Sequence, residues 1–266
     1  MKKELTPREI QLVCTGILKK FDEICRENGL TYCAAGGTLL GAVRHHGFIP
    51  WDDDIDVNMP RADYERLLQL QYEDENYQIL NYRYTDGYFH AFTKMIDKRT
   101  EIIEPLRSEK SMGVFIDIFP VDYVGDYEKE APKNVAKAWK NSNFWQHLGS
   151  DIAYHKSLRP QYLAKLVFRG AVYPFRKRLL YHFDTMFAAI PKSDYCANLI
   201  LGTYGMRECF PSALWDDMIY LPFEDIEICS FRNYDAYLTA LFGDYMTPPP
   251  ENKRQSQHTF TAYRKG

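Results

Sequence analysis

The 266-residue chain carries 33 Lys and Arg against 36 Asp and Glu, a net charge of −3, with 45% hydrophobic residues. That length supports one large domain or two small ones, and the near-neutral balance leaves no electrostatic footprint for nucleic acid. No apolar run of about 18 residues is present, so no membrane span is expected. The basic start MKKELTPREIQ leads into no apolar stretch, so no secretory signal is expected and a cytoplasmic location is.

In chain order, TPRE at 6–9 reads as a helix start, with Thr6 as N-cap, Pro7 in the first turn and Glu9 closing a capping box. Ile10, Val13, Ile17, Phe21 and Ile24 recur at helical spacing until Asn28-Gly29 ends the run. LTYCAA (30–35) is a short buried strand, GGTLLGAVRHHG a glycine turn feeding a helix, and DIDVNM (54–59) a strand with one wet face. RADYERLLQLQ is helical; YQILNYRY (77–84), YFHAFTKMID (88–97) and GVFIDIFPVD (113–122) are β-rich. Residues 126–210 read as mostly helical, with turns at Arg159-Pro160 and Ile190-Pro191. MIYLPFEDIEICSF (218–231) is a hairpin turning at Glu224-Asp225, and NYDAYLTALFGDYM a helix stopped by Gly243. The tail TPPPENKRQSQHTF is expected to be extended and to lie across the body of the protein. The expectation is an α/β (α+β) fold in one domain: a mixed sheet flanked by helices, with core about 30–125 and 215–260 and a helical insertion about 126–210. The six cysteines show no metal-ligand spacing and are expected to be free and buried.

The stretch GFIPWDDDIDVNMP places Asp52, Asp53, Asp54 and Asp56 within five positions. Like charges this dense cost free energy unless a cation sits among them. An EF-hand would need Gly and Glu where Val57 and Asp63 stand, so that reading fails. A solvated acidic turn is the ordinary alternative, yet Phe48, Ile49, Pro50, Trp51, Ile55 and Val57 fence the run. In a strand, Asp54 and Asp56 share one face and present an oxygen-ligand site for a hard divalent cation such as Mg²⁺, with Mn²⁺ possible. Asp117, alone among apolar residues in VFIDIF, needs a cation or an Arg partner if buried. Upstream, Gly36, Gly37 and Thr38 form a strand-to-helix turn whose amides suit phosphate oxygens.

The order strand, Gly-Gly, helix, Asp-x-Asp and third carboxylate resembles the nucleotidyltransferase superfamily. GGTLLGAVRHHGFIPWDDDID, with GVFIDIFPVD and LFGDYMTPPPENKRQSQH, resembles more narrowly the LicD phosphotransferase family, to which the fukutin-type proteins are related. The chain departs from it at His45-His46, where the family often has His-Lys. The resemblance implies transfer of a phospho-alcohol, in the first place phosphocholine from CDP-choline, to a hydroxyl of a cell-surface glycan or teichoic-acid precursor. It implies that Asp54, Asp56 and Asp117 hold the metal. Arg44, Lys94, Arg254 and His258 are the candidate phosphate partners, and Trp51 either caps a base or quaternary ammonium or anchors the loop. Other readings are phosphoribitol transfer, nucleotidyl transfer releasing pyrophosphate, and a silent binding module. Residues 157–183 interleave Arg159, Lys165, Arg169, Arg176, Lys177 and Arg178 with large apolar residues. They suit either peripheral contact with an anionic membrane carrying a lipid-linked acceptor, or a helical pair packed on the core.

Overall fold

The computed structural model describes residues 2–88, 90–103, 112–149, 167–168, 170–200, 204–254 and 260–266. After the short strand β1 (Lys3–Glu4), helix α1 (Pro7–Asn28) forms as its sequence dictates. Glu9 N donates to Thr6 Oγ1 at 3.2 Å and Thr6 N to Glu9 Oε2 at 2.9 Å, and Gly29 ends the helix at φ 58°. Its apolar stripe buries Ile17, Leu18 and Phe21 completely.

Next come β2 (Cys33–Ala34), α2 (Gly36–His45), β3 (Asp56–Pro60), α3 (Arg61–Leu70), β4 (Tyr77–Leu80), β5 (Thr93–Asp97), β6 (Thr100–Ile103) and β7 (Phe115–Tyr123). The central sheet runs β2-β3-β7-β5-β4, with β3 and β7 parallel and the other neighbours antiparallel. Val57 and Met59 are fully buried on one face of β3, while on the other Asn58 is buried and Asp56 and Pro60 are half-buried, so the expected wet face is only partly open.

Three expected strands are shorter than read. Residues 30–35 pair only at Cys33–Ala34, 77–84 only to Leu80, and 88–97 only from Thr93. In the second, Tyr82 is buried but its hydroxyl donates to Asp184 Oδ2 at 2.7 Å, so it packs through a polar network rather than a ladder.

Within 126–210 the described residues form α4 (Ala131–Gly149) and α5 (Arg176–Ala188), but also β8 (Tyr195–Ala197) and β9 (Phe210–Pro211). β8 pairs antiparallel with the end of β7, so this region extends the central sheet. The hairpin β10 (Met218–Phe223) and β11 (Ile226–Phe231) turns at Glu224 (φ 56°), and α6 (Tyr234–Phe242) stops at Gly243. The chain closes on β12 (Thr261–Arg264), which pairs with both β1 and β6. All six cysteines are free and buried.

Among the described residues no helix is long and apolar enough to cross a membrane. Of the basic segment 157–183, residues 157–166 and 169 lie outside the described residues. In the remainder Leu180 is buried, while Val167, Phe168, Tyr173, Phe175 and Tyr181 are exposed.

Candidate functional site

The sheet register builds the centre of the site. Asp56 opens β3 and stands opposite Asp117 of β7 in the parallel ladder, while Lys94 of β5 stands opposite Asp117 on the other side. Lys94 Nζ lies 2.5 Å from Asp117 Oδ1 and 3.3 Å from the centre of the Phe115 ring. Lys94 is therefore a buried counter-ion of Asp117, held by charge and ring face together.

Asp54 precedes β3 rather than sharing its ladder, although Asp117 N donates to Ile55 O at 2.8 Å and so carries the pairing one residue upstream. Burial, followed by the carboxylates of Asp54, Asp117 and Asp52, pushes Asp56 well above the ordinary carboxylate range; Lys94 pulls it the other way. Three neighbouring carboxylates thus act on Asp56, with the Lys94 ammonium acting against them.

The Gly-Gly-Thr turn packs directly on this charge. Gly36 has φ 48°, a left-handed backbone that a side chain would strain. A Cβ at Gly37 would lie 2.6 Å from Asp52 Oδ2, so any larger residue there would displace that carboxylate. Thr38 Oγ1 accepts the Asp56 N–H at 2.9 Å, fixing the first residue of β3. The positive end of α2 favours negative charge at this position.

A second cluster adjoins the acidic run. Arg254, more than two hundred residues away in sequence, places its guanidinium 5.5 Å from the centre of the Trp51 ring and donates from Nε to Pro249 O at 2.8 Å. Arg44 donates from Nη1 to Tyr245 O at 2.7 Å, and burial together with the nearby Arg254 charge lowers its pKa. Trp51 packs partly buried against the core and carries Arg254 on its face. His258 lies outside the described residues.

Sequence reasoning missed the supports of the acidic loop. Gln11 Nε2 donates to Asp52 O at 2.8 Å, and Glu224 accepts from Phe48 N at 3.2 Å and from Arg8. Gln11 was visible as a polar residue within the buried stripe of α1; nothing local marks Glu224 beyond its turn position. Sequence reasoning also missed a cavity of about 190 Å³ that opens against Asp56, with Asn58, Phe119, Tyr204, Glu208 and Tyr237 in its wall.

Among the described residues no three His, Cys, Asp or Glu side chains are already grouped to hold a metal ion. The donor chemistry nevertheless fits a hard divalent cation. Every candidate ligand is a carboxylate, and the crowding that raises Asp56 is the kind a cation relieves.

The family model described as LicD/FKTN/FKRP, nucleotidyltransferase domain, matches residues 29–175. The lipopolysaccharide cholinephosphotransferase LicD of Haemophilus influenzae is 32% identical over 273 residues, covering 98% of this chain and 99% of that protein. An uncharacterized protein of Rickettsia prowazekii is 40% identical over 65 residues, 24% of each chain. Another from Rickettsia typhi is 30% identical over 116 residues, 43% of this chain and 35% of its own. With more than half of its residues matched by the family model and nearly all of them by one relative, the chain belongs to the LicD/FKTN/FKRP family.

Proposed function

We propose that the protein is a phosphotransferase that moves phosphocholine from CDP-choline to a hydroxyl of a cell-surface glycan, in the first place a lipopolysaccharide. The observation that carries this reading is the end-to-end similarity to a lipopolysaccharide cholinephosphotransferase. In the reaction the acceptor oxygen forms a new bond to the choline-bearing phosphorus. The bond from that phosphorus to the bridging oxygen breaks, CMP leaves, and the acceptor's proton is released.

The chain's own groups support such a displacement. Asp54 and Asp56, with Asp117, would hold Mg²⁺, which when bound supplies positive charge to the diphosphate oxygens. The amides at Gly37 and Thr38, at the start of α2 against Asp52, would orient phosphate oxygens, while the Gly36 N–H is held by the Tyr237 hydroxyl. Arg44 and Arg254 provide a cationic wall next to Trp51. Asp117 would complete that metal site and would be the acceptor of the hydroxyl proton. Lys94, ion-paired with Asp117, would stand at this centre as a phosphate partner.

We also propose a cytoplasmic protein that meets its acceptor at the membrane face. The support is the basic run Arg176, Lys177 and Arg178 next to the exposed Val167, Phe168 and Phe175. Sedimentation with anionic vesicles at low salt, lost when the three basic residues become Glu, is the expected outcome; equal recovery in the supernatant with and without vesicles removes the membrane role.

The functional assay is CMP release from a panel of CDP-alcohols with lipopolysaccharide or teichoic-acid acceptors, with Mg²⁺ and with chelator. CDP-choline should be the preferred donor, Mn²⁺ should replace Mg²⁺, and Zn²⁺ should do so poorly. Preference for CDP-ribitol would reassign the alcohol, pyrophosphate would reassign the reaction, and no product with any donor would leave a binding module.

A further inference from the structure

We propose that the cavity against Asp56 is the seat of the donor's trimethylammonium group; the choice of ligand rests on the phosphocholine-transfer reading. Its walls come from separate parts of the chain: Asp56 and Asn58 on β3, Phe119 on β7, Tyr204 and Glu208 at the short helical turn before β9, and Tyr237 on α6.

Position comes first. The cavity shares Asp56 and Gly36 with the carboxylate centre, so a group seated there is covalently close to a phosphate held at that centre. Tyr237 ties the two together, since its hydroxyl accepts the Gly36 N–H at 3.4 Å.

Charge and surface come next. The residues lining the cavity include two carboxylates and four aromatic rings, and no Lys, Arg or His. Apart from Asp56, which belongs to the carboxylate centre, the wall offers the Glu208 carboxylate and ring faces, and ring faces favour a weakly hydrated quaternary ammonium above other cations.

Size excludes the main competitor. About 190 Å³ is below the ~300–1,000 Å³ of sites that enclose drug-sized ligands, so the space suits a head group rather than a nucleoside. The cytidine part of the donor is left to the side of Arg44, Trp51 and Arg254.

Tyr204 and Glu208 are the residues to change, because Tyr204 is 41% exposed and Glu208 only half-buried, so neither is needed for the core. Calorimetric titration with CDP-choline, CDP-ethanolamine and CDP, each with Mg²⁺, reads the site independently of turnover. Tyr204→Leu and Glu208→Gln should each weaken CDP-choline by roughly tenfold, weaken CDP-ethanolamine less and leave CDP unchanged, while Tyr204→Phe binds like the wild type. Equal losses for all three ligands, no loss for CDP-choline, or a wild type that binds CDP-choline no better than CDP would overturn the assignment. Absence of CMP release by a wild type that shows the expected binding pattern would instead sink the transfer reading and keep the ammonium site.

Discussion

Strand β7 carries two aspartates with opposite fates. Asp122 lies near its end, where Arg61 donates from Nε and Nη2 to the two carboxylate oxygens at 2.7 and 2.6 Å. Arg61 also reaches Asp184 at 2.6 Å, and Arg83 joins Asp184 to Glu65. Burial raises Asp122 even with Arg61 beside it, while at Asp184 the partners Arg61, Tyr82 and Arg83 outweigh burial and hold the group below its ordinary range. Asp117 lies near the start of the strand, an odd number of residues away and so on the other face. There Asp56 is raised by burial and by the carboxylates of Asp54, Asp117 and Asp52, with Lys94 acting the other way. Guanidinium forks close one cluster and staple α3, β7 and α5 together; the other gathers carboxylates whose mutual repulsion a bound cation would relieve.

The contrast is sharpest when one carboxylate is removed at each end. Asp56→Asn should reduce turnover by at least about a thousandfold, roughly 4 kcal/mol of barrier, while leaving the urea midpoint unchanged or higher because repulsion is relieved. Turnover near wild type would break the comparison at once. At the closed end Asp184→Ala leaves Arg61 and Arg83 under-compensated, and should lower the unfolding free energy by about 3–5 kcal/mol in a urea titration, with activity per folded molecule preserved. A stable Asp184→Ala protein would show that the closed network is ornamental.

Smaller effects refine the boundary. Arg254→Ala should raise the KM for CDP-choline about tenfold with little change in melting temperature, since its guanidinium rests on Trp51 at the surface of the site. Truncating the tail is a poor test of that role, because Thr261–Arg264 pairs with β1 and β6 and would be lost with it. Thr6→Ala removes a helix cap remote from both clusters. It should cost about 1 kcal/mol in urea unfolding and leave kcat untouched; a kinetic change would mean that α1 positions Asp52 through Gln11 more tightly than the fold requires.

Much of this was legible in the chain because the signals were local. Thr6 with Glu9, Gly29, the 218–231 hairpin and Gly243 are chemical instructions confined to a few residues, and each element forms where they place it. Asp54, Asp56 and Asp117 stood out for their charge among apolar neighbours, and the register brings Asp56 and Asp117 face to face. What sequence could not reveal depended on distant pairing. That Lys94 pairs with Asp117 shows only when β5 is laid against β7. Arg254 meets Trp51 only through the fold of the tail, and Tyr204 with Glu208 sat in a region whose helical pattern hid β8 and β9. Tyr82, read as a strand residue, is aromatic and buried for the sake of Asp184.

The most direct measurement is ³¹P NMR of CDP-choline incubated with lipopolysaccharide and Mg²⁺, comparing wild type with Asp56→Asn. The expected result is CMP and a new glycan-linked phosphodiester appearing in equal amounts with the wild type, and neither with the variant. Pyrophosphate as the product, CMP with phosphocholine released only into water, or equal rates for the two proteins would contradict a phosphocholine transferase centred on Asp56.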